Sequence, residues 1–152
     1  MHLLYSIANP ARPILRQIFL LLVILLGLSQ TALAYTLTCD VQGSFPELEK
    51  ISIEPATIKV EITSIGDHLY IKIDGPKLYT FFVNTLKTPE FEGMDLTSKT
   101  SLWVKRKNTK TMEESEVKIN REPVNIKAIK DVQRYGKKLK FFVTGPCQLP
   151  PG

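Results

Sequence analysis

Cysteine is nearly absent from this chain of 152 residues: Cys39 and Cys147 are the only two. Thiols so far apart in sequence do not make a proximal redox pair, and they cannot supply a thiolate-rich zinc cluster. Histidine is as scarce. His2 falls in an apolar N-terminal leader, which leaves His68 in a short Gly-Asp connection as the sole imidazole of the remainder. A zinc site needs three or four ligands, so His68 reads as a surface turn residue. There is no Gly-rich loop opening a helix to hold phosphate, and no Ser or Cys in a nucleophile elbow. The acids of TPEFEGMD (Glu90, Glu92, Asp95) lack the spacing of a calcium loop and read as a solvated connection. No cofactor, metal or enzymatic activity is therefore expected. Asn-x-Ser/Thr sequons are missing as well, which suits a bacterial exported protein.

A leader is present. Arg12 and Arg16 form a positive region without acids, and the apolar run Ile18 to Leu28 follows. These eleven residues would rise about 16 Å as a helix, roughly half a bilayer core. Ala32 and Ala34 occupy the small-residue positions that a signal peptidase reads, so residues 1–34 are expected to be a signal peptide cut before Tyr35. The competing reading is an uncleaved inner-membrane anchor. Residues 35–152 then form one domain with one core, periplasmic or secreted, in a Gram-negative bacterium.

Period-two alternation dominates that domain, and convincing helical periodicity is hard to find. In YTLTCDV, Tyr35, Leu37, Cys39 and Val41 share one face; in TIKVEIT, Ile58, Val60 and Ile62 do so. HLYIKID, SLWVKRK, EVKINRE, VNIKAIK and KKLKFFVTG continue the device, and KLYTFFVNT carries apolar residues on both faces, as a central or covered strand would. About eight strands joined by short or moderate loops leave no room for the helical crossovers of parallel pairs. The expected fold is all-β, a mainly antiparallel small barrel or sandwich.

In an oxidising compartment the two thiols should be joined. Their Cα atoms must then approach within about 7 Å, which brings the first and last strands together. On the chain-entropy model, closing a loop of about a hundred residues removes roughly 4.7 kcal/mol of denatured-state entropy.

Charge is divided unevenly. Residues 35–95 carry five basic and ten acidic side chains, and residues 96–152 carry thirteen basic and five acidic. KRKNTK supplies Arg106, Lys107 and Lys110, and RYGKKLK supplies Arg134, Lys137 and Lys138. An antiparallel meander brings these two connections to one end, where outward-pointing cations would attract a phosphate-rich partner. In an exported protein that partner is an envelope protein, anionic lipid head groups or a wall polymer, with nucleic acid less accessible. The bland alternative is solubilising charge that also blocks edge pairing.

The layout YTLTC … DGPKLYTF … SEVKINREPVNI … YGKKLKFFVTGPC resembles a loose group of small exported bacterial two-cysteine β-domain proteins of unknown function. Ile119, Arg121, Gly145 and Cys147 match its short motifs; Asn120 stands where the group has Asp, and Glu122-Pro123-Val124 replaces a turn ending in Gly. The resemblance implies a periplasmic location and a β-fold, and no activity. Three function classes follow. The leading one is a non-enzymatic envelope β-domain that binds a protein or an anionic component through its basic surface. The second is a periplasmic lysozyme inhibitor, similar as a small β-barrel with an early-strand cysteine. Its Ser-Gly-x-x-Tyr loop is absent, and a basic inhibitor of a basic lysozyme starts from repulsion. The third is a small hydrolase.

Overall fold

Alternating apolar and polar residues, with turns at short intervals, wind this chain into antiparallel strands. The computed structural model describes residues 32–49 and 51–150. Nine strands follow in order: β1 Leu33–Ser44, β2 Ala56–Ile65, β3 His68–Asp74, β4 Phe81–Asn84, β5 Phe91–Asp95, β6 Ser101–Asn108, β7 Glu114–Arg121, β8 Val124–Arg134 and β9 Lys137–Gln148. A 3-10 turn, Lys77–Tyr79, precedes β4. The strand order is β4-β3-β2-β1-β9-β8-β7-β6-β5, with every neighbouring pair antiparallel. The result is a nearly closed all-β barrel. Most of the expected leader, residues 1–31, lies outside the described residues. Leu33 and Ala34, just before the expected cut, pair with Ser64 and Thr63 at the far end of the β1–β2 ladder.

The inward face of each strand is the one that the alternation marks. Leu37, Cys39 and Val41 of β1, Ile58, Val60 and Ile62 of β2, and Ile71 and Ile73 of β3 are buried. So are Val104 of β6, Val117 and Ile119 of β7, Ile126 and Ala128 of β8, and Leu139, Phe141 and Val143 of β9. Each fully buried aliphatic or phenyl side chain contributes roughly 1.5–3 kcal/mol of transfer free energy. Phe45, Tyr79 and Phe141 pack together at one end, with ring centroids 5.0 and 5.4 Å apart. There the Tyr79 hydroxyl donates to the Glu54 carbonyl at 2.6 Å and accepts from the Gly43 N–H at 3.0 Å.

Two features differ from the sequence expectation. FEGMD, read as loop, is β5, and its Gly93 explains both the strand and the misreading. The Gly93 N–H donates to the Leu86 carbonyl at 2.9 Å, and a Cβ at this position would collide with the carbonyl of Asn84. Glycine weakens the local strand signal, yet here it lets β5 approach the chain that leaves β4. Conversely, β4 ends the strand order instead of lying within it, and Phe82 on its outer side is 45 % exposed.

The chain ends meet at the β1–β9 seam. Cys39 and Cys147 stand directly opposite in register, with Cα atoms 4.0 Å apart, and they form a disulfide across 108 residues of sequence. The strand-adjacency expectation is therefore met at the cysteines themselves. Among the described residues no helix is long and apolar enough to cross a membrane.

Candidate anion-binding surface

Strands β6 to β9 are consecutive in the barrel wall, so the basic half of the sequence becomes one continuous patch of sheet. Because these strands alternate in direction, the β6–β7 turn and the β8–β9 turn lie at the same end of that patch. The latter is a two-residue hairpin turn whose central residues, Tyr135 and Gly136, both have positive φ (52° and 70°), the requirement of a type I′ turn.

The six basic residues singled out in the sequence reach this end in two different ways. Lys107 and Lys138 lie on the outward face and Lys110 in the β6–β7 turn, whereas Lys137, expected outward, opens β9 opposite Arg134 at the parity of Leu139 and Phe141 and is exposed beside the turn. Lys110 pairs with Glu90 at 2.9 Å, and Lys138 lies 3.9 Å from Asp131. Lys107 stands in register between Glu92 and Glu114. Arg106 and Arg134, expected outward, take inward parity instead. Arg106 continues the series Leu102, Val104 and Arg134 the series Ile126, Ala128, Lys130, Val132. The Arg106 guanidinium lies 3.6 Å from the Phe91 ring centroid and 5.7 Å from that of Phe82, and Arg134 lies 5.5 Å from Phe45. Burial pushes the Arg106 guanidinium below its ordinary pKa.

The outer face of β6–β9 is organised in register rows. One row holds Trp103, Lys118 and Lys127, with the Lys118 ammonium 4.9 Å from the Trp103 ring. Towards the turns, Lys105 pairs with Glu114 at 3.2 Å. Asp131 is the acidic centre of that end: its side chain is only 5 % exposed, and Lys140 lies 3.4 Å away. It also accepts the Glu114 N–H at 3.0 Å. Three acids (Glu114, Glu116, Asp131) therefore sit among six outward lysines (Lys105, Lys107, Lys118, Lys127, Lys138, Lys140) on these strands, so the face keeps a positive excess.

Lys130 and Lys118 were not singled out by sequence reasoning. Their parity was readable, since Lys130 follows Ile126 and Ala128 at steps of two, but the aromatic rings that meet them come from elsewhere in the chain. Lys130 donates to the Thr80 carbonyl at 2.7 Å and lies 4.5 Å from the Phe81 ring, and burial lowers its pKa below the ordinary 10.5. His68 is the exposed first residue of β3, beside a shallow groove shared with Thr85, Leu86 and Met94. Glu90, Glu92 and Asp95 are exposed, and no group of three His, Cys, Asp or Glu side chains converges among the described residues. Comparison with family models, with curated proteins and with solved structures finds no match to this chain.

Proposed function

We propose that this protein is an exported, non-enzymatic binding domain of the bacterial envelope, whose β6–β9 wall engages a phosphate-rich partner such as anionic lipid head groups or a wall polymer. The observation that carries this reading is the contiguity of β6, β7, β8 and β9, which gathers the basic excess of residues 96–152 on adjacent strands. A field of one sign on one wall attracts polyanions and orients the encounter. Lys107, Lys110, Lys137 and Lys138, at the same end, are the first residues such a surface would meet. The disulfide between the first and last strands supports an oxidising compartment for the mature domain.

Co-sedimentation with vesicles tests the binding. Vesicles containing anionic phospholipid, or beads carrying a phosphate-rich polymer, should retain the protein at low salt and release it at high salt. Each lysine near an anionic surface contributes about 1 kcal/mol. Changing Lys107, Lys110, Lys137 and Lys138 together to Ser should therefore abolish retention and leave the melting temperature nearly unchanged. Failure of the wild-type protein to bind any of these at low salt would remove the proposal. Export is tested separately by mass spectrometry, where the mature N-terminus should be Tyr35.

A further inference from the structure

The ends of the strand order, β4 and β5, meet through the residues that follow β4, without a continuous ladder between the two strands. Beside that gap the inner face of the opposite wall turns polar. Arg106 of β6, Ser115 of β7 and Lys130 of β8 stand in a single register row at inward positions. Adjacent strands are about 4.8 Å apart, so the two cations flank Ser115 from either side. Both are held by nearby rings: Arg106 against Phe91 of the neighbouring strand β5 and Phe82 of β4, Lys130 against Phe81 of β4 and the Thr80 carbonyl.

What this row lacks is an acid. None of the ion pairs among the described residues involves Arg106 or Lys130. The Arg106 Nε is buried without a hydrogen-bond partner. Two partly desolvated cations without a counter-charge are costly, and a bound anion would offset that cost. Phe82, whose ring centroid lies 5.7 Å from the Arg106 guanidinium, is 45 % exposed, which offers apolar surface next to that charge.

We propose that Arg106, Ser115 and Lys130 form a binding site for a small anion, a phosphate or carboxylate group carried on an apolar body, with Phe82 covering that body. The arginine fork and the lysine ammonium donate to the anion's oxygens, and the Ser115 hydroxyl donates between them. The lowered pKa of both cations fits the same picture, since a counter-charge restores what burial removed. The site uses none of the outward lysines of the basic wall, so it stands or falls independently of the surface binding proposed above.

The test is an NMR titration of the oxidised protein with phenyl phosphate, benzoate and inorganic phosphate at low salt. Phenyl phosphate or benzoate should shift the backbone amides of residues 80–82, 106, 115 and 130, and whichever binds more tightly identifies the head group. Inorganic phosphate should bind several-fold more weakly because it lacks the apolar body; equal affinity would overturn the role of Phe82. Lys130→Met, which keeps the apolar stem, should weaken binding roughly tenfold. The Lys137→Ser, Lys138→Ser double variant should leave it unchanged. Shifts confined to residues 107–110 and 134–138, or no shift with any probe at millimolar concentration, would overturn the site on the wild-type protein alone.

Discussion

From β1 to β4 no charged residue takes an inward position, and charge sits outside in pairs two residues apart on one strand: Lys59 with Glu61 at 2.6 Å, Lys72 with Asp74 at 2.7 Å. From β6 to β9 the arrangement differs. Ion pairs there bridge neighbouring strands, as Lys105 does to Glu114 and Lys140 to Asp131, and three of the cations at inward parity meet aromatic rings. Those three, Arg106, Lys130 and Arg134, each lie near a phenyl ring of the first half, Phe82, Phe81 and Phe45 in turn, and Arg106 also stacks on Phe91 of the neighbouring strand β5. The two halves are thus joined by a hydrogen-bonded ladder fastened with a disulfide at the β1–β9 seam, and, near the β4–β5 gap, by Arg106 and Lys130 on the rings of β4. One join is strong and blind to salt and pH. The other is weaker, about 0.5–2 kcal/mol per contact, and able to exchange its partners.

The comparison breaks most visibly at the covalent seam. Cys39→Ala should cost about 2–5 kcal/mol in a denaturant titration under oxidising conditions, because the loop it closes spans nearly the whole domain. A loss below about 1 kcal/mol would mean that the β1–β9 ladder holds the halves together without the bond. At the opposite join, Gly93→Ala should cost about 1–3 kcal/mol or more, since its Cβ meets the backbone of Asn84 and Thr85, which cannot swing aside. An Ala that is tolerated there would show that the β4–β5 closure is looser than its geometry.

The two kinds of ion pair predict a smaller contrast. Asp131→Ala should cost about 1–3 kcal/mol, because it leaves the Glu114 N–H without its acceptor and two lysines without their counter-charge. Lys59→Ala should cost at most about 0.5 kcal/mol, as exposed pairs do. Equal losses would erase the distinction between the halves.

The smallest effect is a pH dependence. Burial lowers the Lys130 pKa below the ordinary 10.5, so between the lowered value and 10.5 the unfolded chain retains a proton that the folded one has released. Stability contributed by this group therefore rises with pH through that window. Lys130 faces the Thr80 carbonyl and the Phe81 ring, with Arg106 the charged residue in its row. Lys130→Met should lie within about 1 kcal/mol of wild type at neutral pH and fall behind it as pH climbs towards 10.5. Tyr79, whose pKa burial raises, is present in both proteins and cancels in the difference. A flat difference across that range would mean that Lys130 is not desolvated.

Much of this was readable from residue order. Ile58, Val60 and Ile62, or Leu139, Phe141 and Val143, can bury together only if alternate side chains point inward, and the structure buries those sets. The pairing of Cys39 with Cys147 followed from their being the only thiols of the chain, once an oxidising compartment is expected for it. β5 was not readable, because Gly93 and its acidic neighbours suppress the strand signal and the reason for glycine lies on a different segment. For Arg106 and Arg134 the parity was visible, but their charge argued for solvent; Phe91, Phe82 and Phe45 supply the rings that meet them, and none is a sequence neighbour of the cation it meets.

By itself, then, the order of residues determined eight of the nine strands, which of their faces are apolar, that the thiols pair and that charge is divided between the halves. These are local periodicities and counts, and they need no knowledge of what lies across the core. Only the tertiary structure decided that the sheet curls into a nearly closed barrel instead of a sandwich, and that a ninth strand fits at its edge. It alone placed two cations without an acid beside a gap in the wall. Those outcomes depend on contacts between segments far apart in sequence, where a ring or a missing Cβ on one strand sets the environment of a side chain on another.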